Sequence, residues 1–161
     1  MLCFCDEEFI MKFIADAMLG RLARWLRIIG YDTVYLKHTS DTVIVVQAIR
    51  DNRIILTRDR HFERMKAAKN HLIISSTRIA EQFREVVAAF QLNTVKNIFT
   101  RCAECNTPLV PVEKSKILDK IPPYIAKTQV KFSYCPNCNR IYWAGTHLEL
   151  MKKKIFTMLN G

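Results

Sequence analysis

The sequence predicts an α/β fold, a parallel β-sheet flanked by helices, followed by a four-cysteine module and a terminal helix. Three observations predict it. Short apolar runs alternate with helix-period segments through residues 11–96. The strand candidates are near-continuous in apolar residues, as strands covered on both faces are. Beyond residue 100 the alternation stops and two C-x-x-C pairs appear. The chain has 161 residues, 50% apolar and 25% charged, which excludes disordered and collagen-like classes and suits one ordinary domain plus a small module.

The elements follow in order. KFIAD at 12–16 is an apolar strand ending in an acid, and MLGRLARWLRII is a helix with Leu19, Leu22, Leu26 and Ile29 on one stripe. Gly30 closes it as a left-handed cap. DTVYL at 32–36 is a second strand, and Asp41 caps a helix running through Val45, Ala48 and Ile49. RIILT at 53–57 is a third strand, a short helix runs from Phe62 to Ala67, HLIIS at 71–75 is a fourth strand, and 78–90 is a helix. A boundary falls near 96–100, dividing an α/β domain (11–96) from a four-cysteine module with a C-terminal helix (97–161). Residues 1–10 form an N-terminal extension expected to be disordered.

Lys and Arg number 25 against 15 Asp and Glu, a net charge of +10, densest towards the C-terminus. Such an excess favours a polyanionic partner, nucleic acid first and an acidic membrane surface second. No apolar run is long enough to span a bilayer, and the acidic start MLCFCDEEFI is unlike a signal peptide. A cytoplasmic protein without a membrane segment is expected.

Cys102 and Cys105 are separated by 29 residues from Cys135 and Cys138. Each pair suits a tight knuckle whose amides face the sulfurs, so that four thiolates can surround Zn²⁺ tetrahedrally. With all four ligands cysteine, such an ion holds a fold and leaves no site open for water. Disulfides are disfavoured in a reducing compartment. Cys3 and Cys5, a lone C-x-C, read as free thiols of the extension.

Asp16 follows the first strand, Asp41 starts the second helix and Asp59 follows the third strand, so all three fall at the edge where open parallel sheets bind ligands. Hard oxygen ligands there suit Mg²⁺ or Mn²⁺, which activate water and neutralise a phosphodiester. Each acid taken singly has a plain alternative as a helix cap or an arginine partner. Asp32 begins a strand on the opposite edge and is excluded. Arg21, Arg24 and Arg27 occupy the helix face opposite the leucine stripe, either as phosphate contacts or as a solvated face, and Arg58 and Arg60 flank Asp59.

The run FIADAMLGRLARWLRIIGYDT, the acid in HTSDTVIVVQAIRDNRIILTRD, and RCAEC with YCPNCNRIYWAGTH resemble the PIN-like ribonuclease family of the mutator-seven C-terminal type over roughly residues 11–158. The resemblance implies a PIN-like α/β domain fused to a zinc ribbon, and a metal-dependent ribonuclease that cleaves RNA with metal-activated water. It places the catalytic acids, ligands of Mg²⁺ or Mn²⁺, on Asp16, Asp41 and Asp59, and structural zinc on Cys102, Cys105, Cys135 and Cys138. Arg21, Arg24 and Arg58 then grip RNA. Trp143 is either a stacking face for a base or a plug between ribbon and sheet domain, and His147 is either a phosphate donor or a helix cap. Well-studied PIN nucleases carry a further carboxylate, for which Glu63 is the candidate. The competing reading is a non-catalytic RNA-binding or ribosome-associated module. A receiver-type fold fails because Ala17, not a second acid, follows Asp16.

Overall fold

The structure, a computed structural model, describes residues 11–161, so the N-terminal extension with Cys3 and Cys5 lies outside the described residues. Strands β1 (Lys12–Ala15), β2 (Asp32–Tyr35), β3 (Ile54–Thr57) and β4 (His71–Ile73) form one parallel sheet in the order β2-β1-β3-β4. Helices α1 (Gly20–Ile28) and α2 (Asp41–Arg50) make the crossovers, and α3 (Ile79–Phe90) follows β4. The central strands carry the unbroken apolar runs because both their faces are covered. Phe13, Ala15 and Leu56 pack with α1 and α3, whereas Ile14 and Ile55 meet Ile44, Val45 and Ala48 of α2.

Gly30 ends α1 at φ +98, and a Cβ there would lie 2.3 Å from the Asn97 carbonyl oxygen, so only glycine fits. The chain then builds a second, antiparallel sheet, β5 (Val110–Val112), β6 (Phe132–Tyr134) and β7 (Ile141–Trp143), around Ile117, Ile121 and Phe132. A one-and-a-half-turn helix, α4 (Pro123–Thr128), precedes β6. The last helix, α5 (Thr146–Asn160), returns to the first layer, where Ile155 and Met158 join the core beside Phe83 and Val86 of α3.

Three local expectations change. The segment after Asp59 is a 3₁₀ helix over Arg60–Arg64 rather than an α-helix from Phe62, because so short a run cannot repay α-helix nucleation. Strand β4 stops at Ile73, since its partner β3 ends at Thr57. Ser40, not Asp41, occupies the N-cap of α2, which leaves the Asp41 carboxylate for other partners.

The larger correction concerns Arg27. It continues the Arg21–Arg24 stripe, yet it is buried because the first cysteine knuckle covers that end of α1. Its Nε donates to the Thr33 carbonyl at 2.8 Å, and its Nη1 donates to the carbonyls of Ala103 at 3.3 Å and Glu104 at 2.7 Å. Burial pulls its pKa below the usual arginine value, and the nearby Cys102 and Cys105 work against that. Asn106 adds a second tie, accepting from the Thr33 amide and donating to Asp32. Asp32 itself pairs with Arg53 at 2.6 Å and Arg101 at 3.6 Å, away from the candidate acids. Replacing Arg27 by Leu leaves buried carbonyls without donors and is expected to cost about 3 kcal/mol, read as a lower denaturant midpoint at unchanged slope. An unchanged midpoint would show that the knuckle docks without it.

Candidate functional site

The acid site forms where β1 and β3 end. The Asp16 amide donates to the Leu56 carbonyl at 3.2 Å, which locks the residue to the neighbouring strand. Asp16 is buried, 7% exposed, although it stands at the ligand-binding edge of the sheet. Oδ1 accepts from the Met18 amide at 2.8 Å, and Oδ2 accepts from the Thr57 hydroxyl and from the Arg58 amide at 3.2 Å. The reason for the burial is local. The carboxylate caps the 3₁₀ turn Ala17–Leu19 while reaching across to β3.

The three acids are linked through two intermediaries. Thr57 Oγ1 donates to Asp16 and accepts from the Asp59 amide at 2.9 Å. The exposed Asp59 accepts at Oδ1 from the His61 amide at 2.8 Å. His61 Nδ1 lies 3.1 Å from Asp41 Oδ2. Hydrogen bonds thus tie Asp16, Thr57, Asp59, His61 and Asp41 together in that order, partly through the backbone amides of Asp59 and His61. The carboxylates are strung along this chain of contacts rather than converged: among the described residues, the four cysteines are the group whose potential ligand atoms lie within 4.8 Å of one another.

Arg58 is half-buried beside this chain, and its Nε is a buried donor with no partner. Arg21 and Arg24 are exposed on α1, with Arg24 3.0 Å from Glu104. Arg60 and Glu63 pair with each other at 3.5 Å, so Glu63 is turned to its neighbour and adds no carboxylate to the acid chain. Thr57 and His61 were not singled out from sequence. The T-R-D-R-H string carried them, two residues to either side of Asp59.

The thiol site lies between two knuckles of one design. Cys102 and Cys138 sulfurs stand 3.5 Å apart, and those of Cys105 and Cys135 stand 3.3 Å apart. In each knuckle an asparagine follows the second cysteine in the left-handed region, Asn106 at φ 71 and Asn139 at φ 60, and its amide donates to the carbonyl of the first cysteine at 3.0 Å. Asparagine tolerates that conformation, which explains why both motifs read C-x-x-C-N. Burial opposes ionisation of Cys105, but hydrogen bonds from Thr107 prevail and bring its thiol down to about 5. Burial and the neighbouring sulfurs push Cys138 up to about 12. Four sulfurs this close cannot all ionise unaided, so the donor set fits a soft divalent cation that would compensate their charge. Tyr142 places its hydroxyl 3.1 Å from Cys102 Sγ, and burial followed by that sulfur raises its pKa, which keeps it protonated beside the ligand. Trp143 packs against the small core of the antiparallel sheet. His147 falls in the first turn of α5, and its side chain lies outside the described ones.

An acid-edged parallel sheet joined to a four-thiol metal-binding cluster defines a two-centre α/β protein with a PIN-like layout. The family model described as the Mut7-C RNAse domain matches residues 11–155, and the chain belongs to that family. Membership gives it a nuclease-like, RNA-related role. No curated protein matches the chain. No helix among the described residues is long and apolar enough to cross a membrane.

Proposed function

We propose that the chain is a divalent-metal-dependent ribonuclease whose chemistry occurs at Asp16, Asp41 and Asp59, with structural zinc on Cys102, Cys105, Cys135 and Cys138. The observation that carries the reading is Asp16, a buried carboxylate with three donors and no ion pair among the described residues. Buried charges are paired or hold metal ions, and no cationic side chain does the pairing here. Asp59 and Asp41 stand next along the same hydrogen-bonded chain and offer the remaining hard oxygens. Mg²⁺ and Mn²⁺ accept such a site, since they bind through one or two carboxylates and fill the rest with water and phosphate oxygens.

When bound, the ion supplies positive charge against the phosphodiester and makes water a better nucleophile. The chain's own groups do the positioning. Thr57 and the Arg58 amide fix the Asp16 carboxylate, and Asp41 orients His61 through Nδ1. The half-buried Arg58 sets a positive charge beside the acids, and Arg21 and Arg24 extend the cationic surface along α1. A second reading, a non-catalytic RNA-binding module, draws on the separation of the carboxylates and the outward turn of Glu63.

Binding is tested first. If about four cationic contacts reach phosphates, affinity for single-stranded RNA falls roughly fifty-fold between 50 and 200 mM salt. Affinity that ignores salt, or no binding at low salt, removes both readings. Cleavage of RNA by the purified chain with Mn²⁺ or Mg²⁺, and none without, then separates the enzyme from the binding module.

A further inference from the structure

Where the antiparallel sheet meets the first layer, an open groove of about 390 Å³ is lined by Phe99, Tyr142, Trp143, Ser133 and Lys131. Ser133 and Tyr142 are cross-strand partners and share one face of the hairpin, whereas Phe132 and its partner Trp143, on the other face, pack in the small core, so the rings that face the groove are those of Phe99 and Tyr142. Phe99 and Tyr142 stand with ring centroids 6.3 Å apart at 43°. Phe99 holds φ 55, a left-handed conformation that bulky residues rarely adopt, and its amide is pinned to the Ile28 carbonyl at 2.8 Å. That conformation sets the ring against the first core and beside Tyr142.

Charge brackets these rings. Lys131 is exposed at one end and forms no hydrogen bond or ion pair among the described residues. A smaller cavity of about 250 Å³ shares Phe99 and Tyr142 with the groove and adds Arg24 and Arg140. These two arginines share one acid, Glu104, at 3.0 and 3.6 Å, which leaves a cationic excess.

We infer that this groove binds unpaired bases of single-stranded RNA, its aromatic side chains against the bases, with Lys131 at one end and Arg24 and Arg140 at the other against the phosphates. Aromatic rings between cations match a chain of apolar faces joined by anionic links. A base stacked inside a duplex cannot reach them, so the groove selects unpaired RNA. The inference rests on the proposed RNA-directed function and extends it. Arg24 lies one helical turn beyond Arg21, and α1 starts just past Asp16, so a strand held in the groove has a cationic path along α1 to the acid site.

The test uses the full chain without added divalent ions, a labelled twelve-nucleotide single strand, and the same sequence as a duplex, followed by fluorescence polarisation. Lys131→Glu and Phe99→Leu are each expected to weaken single-strand binding about tenfold, with duplex binding changed less than twofold. Should Phe99→Leu lose its fold, Lys131→Glu decides, because the Lys131 side chain is exposed. If the native chain binds the single strand and Lys131→Glu binds it equally well, the groove assignment is overturned while the RNA-directed function stands. If the native chain binds neither nucleic acid, the function falls and the groove with it. Self-association of the RNA-free chain that Phe99→Leu abolishes would identify a second copy as the occupant and overturn the inference.

Discussion

Cys135→Ser is expected to lose the bound metal and to destabilise the whole chain, not the antiparallel sheet alone. Cys135 is fully buried and belongs to a four-sulfur set in which each thiol restrains its neighbours. Removing one thiolate leaves three ligands of a site that wants four, and metal affinity is folding free energy for a module whose own core is three buried side chains. The loss spreads because the facing knuckle is tied to α1 and β2 through Arg27 and Asn106. A loss of at least about 4 kcal/mol, and a melting temperature lower by roughly 10–15 °C, is expected for a domain of this size. Elemental analysis should find one zinc in the native chain and none in the variant. A variant without metal that melts with the native chain would refute the structural role.

The second large effect is on chemistry. Asp59→Asn is expected to reduce Mn²⁺-dependent RNA cleavage about a hundredfold or more, since losing a charged ligand removes several kcal/mol of transition-state stabilisation. It should leave RNA binding intact or slightly tighter, because one negative charge near the substrate is gone. Stability should hold, as Asp59 is exposed and its carboxylate caps a short turn that asparagine caps as well. Asp16 is the less clean site for this experiment. Its two oxygens accept from three donors, so an amide group there turns its own donor towards at least one of them and costs about 1–3 kcal/mol of stability as well as activity. The contrast between the positions is itself a check: Asp59→Asn separates activity from stability, and Asp16→Asn does not. Wild-type cleavage by Asp59→Asn would leave the binding-module reading in possession.

Much of this was legible from residue order. The apolar runs at 12–15 and 54–57 announce central strands, because only a strand covered on both faces carries no polar alternation. The C-x-x-C spacing announces the thiol cluster, whereas the asparagine after each pair shows its purpose only in the fold, where it takes the left-handed conformation that a knuckle needs. Placement of Asp16 and Asp59 after strand ends follows from the direction of a parallel sheet. The Asp41 link was only half legible. Its position at the start of α2 could be read, but its partner His61 lies twenty residues on, and no periodicity joins a helix start to a turn after the next strand.

Residue order encodes the parallel sheet, the two knuckles and the sheet edge that carries the acids, because each depends on spacing within a few residues. Folding then set what covers each surface. It buried Arg27, although Arg27 shares a stripe with the exposed Arg21 and Arg24, because a knuckle more than seventy residues away closes over that end of α1. It buried Asp16 under donors from β3, turned Glu63 to Arg60, and brought α5 back onto α3 to complete the first core. Helical and strand periods state which residues share a face. The partner that meets the face is set by chain closure over long separations, and no local pattern encodes it.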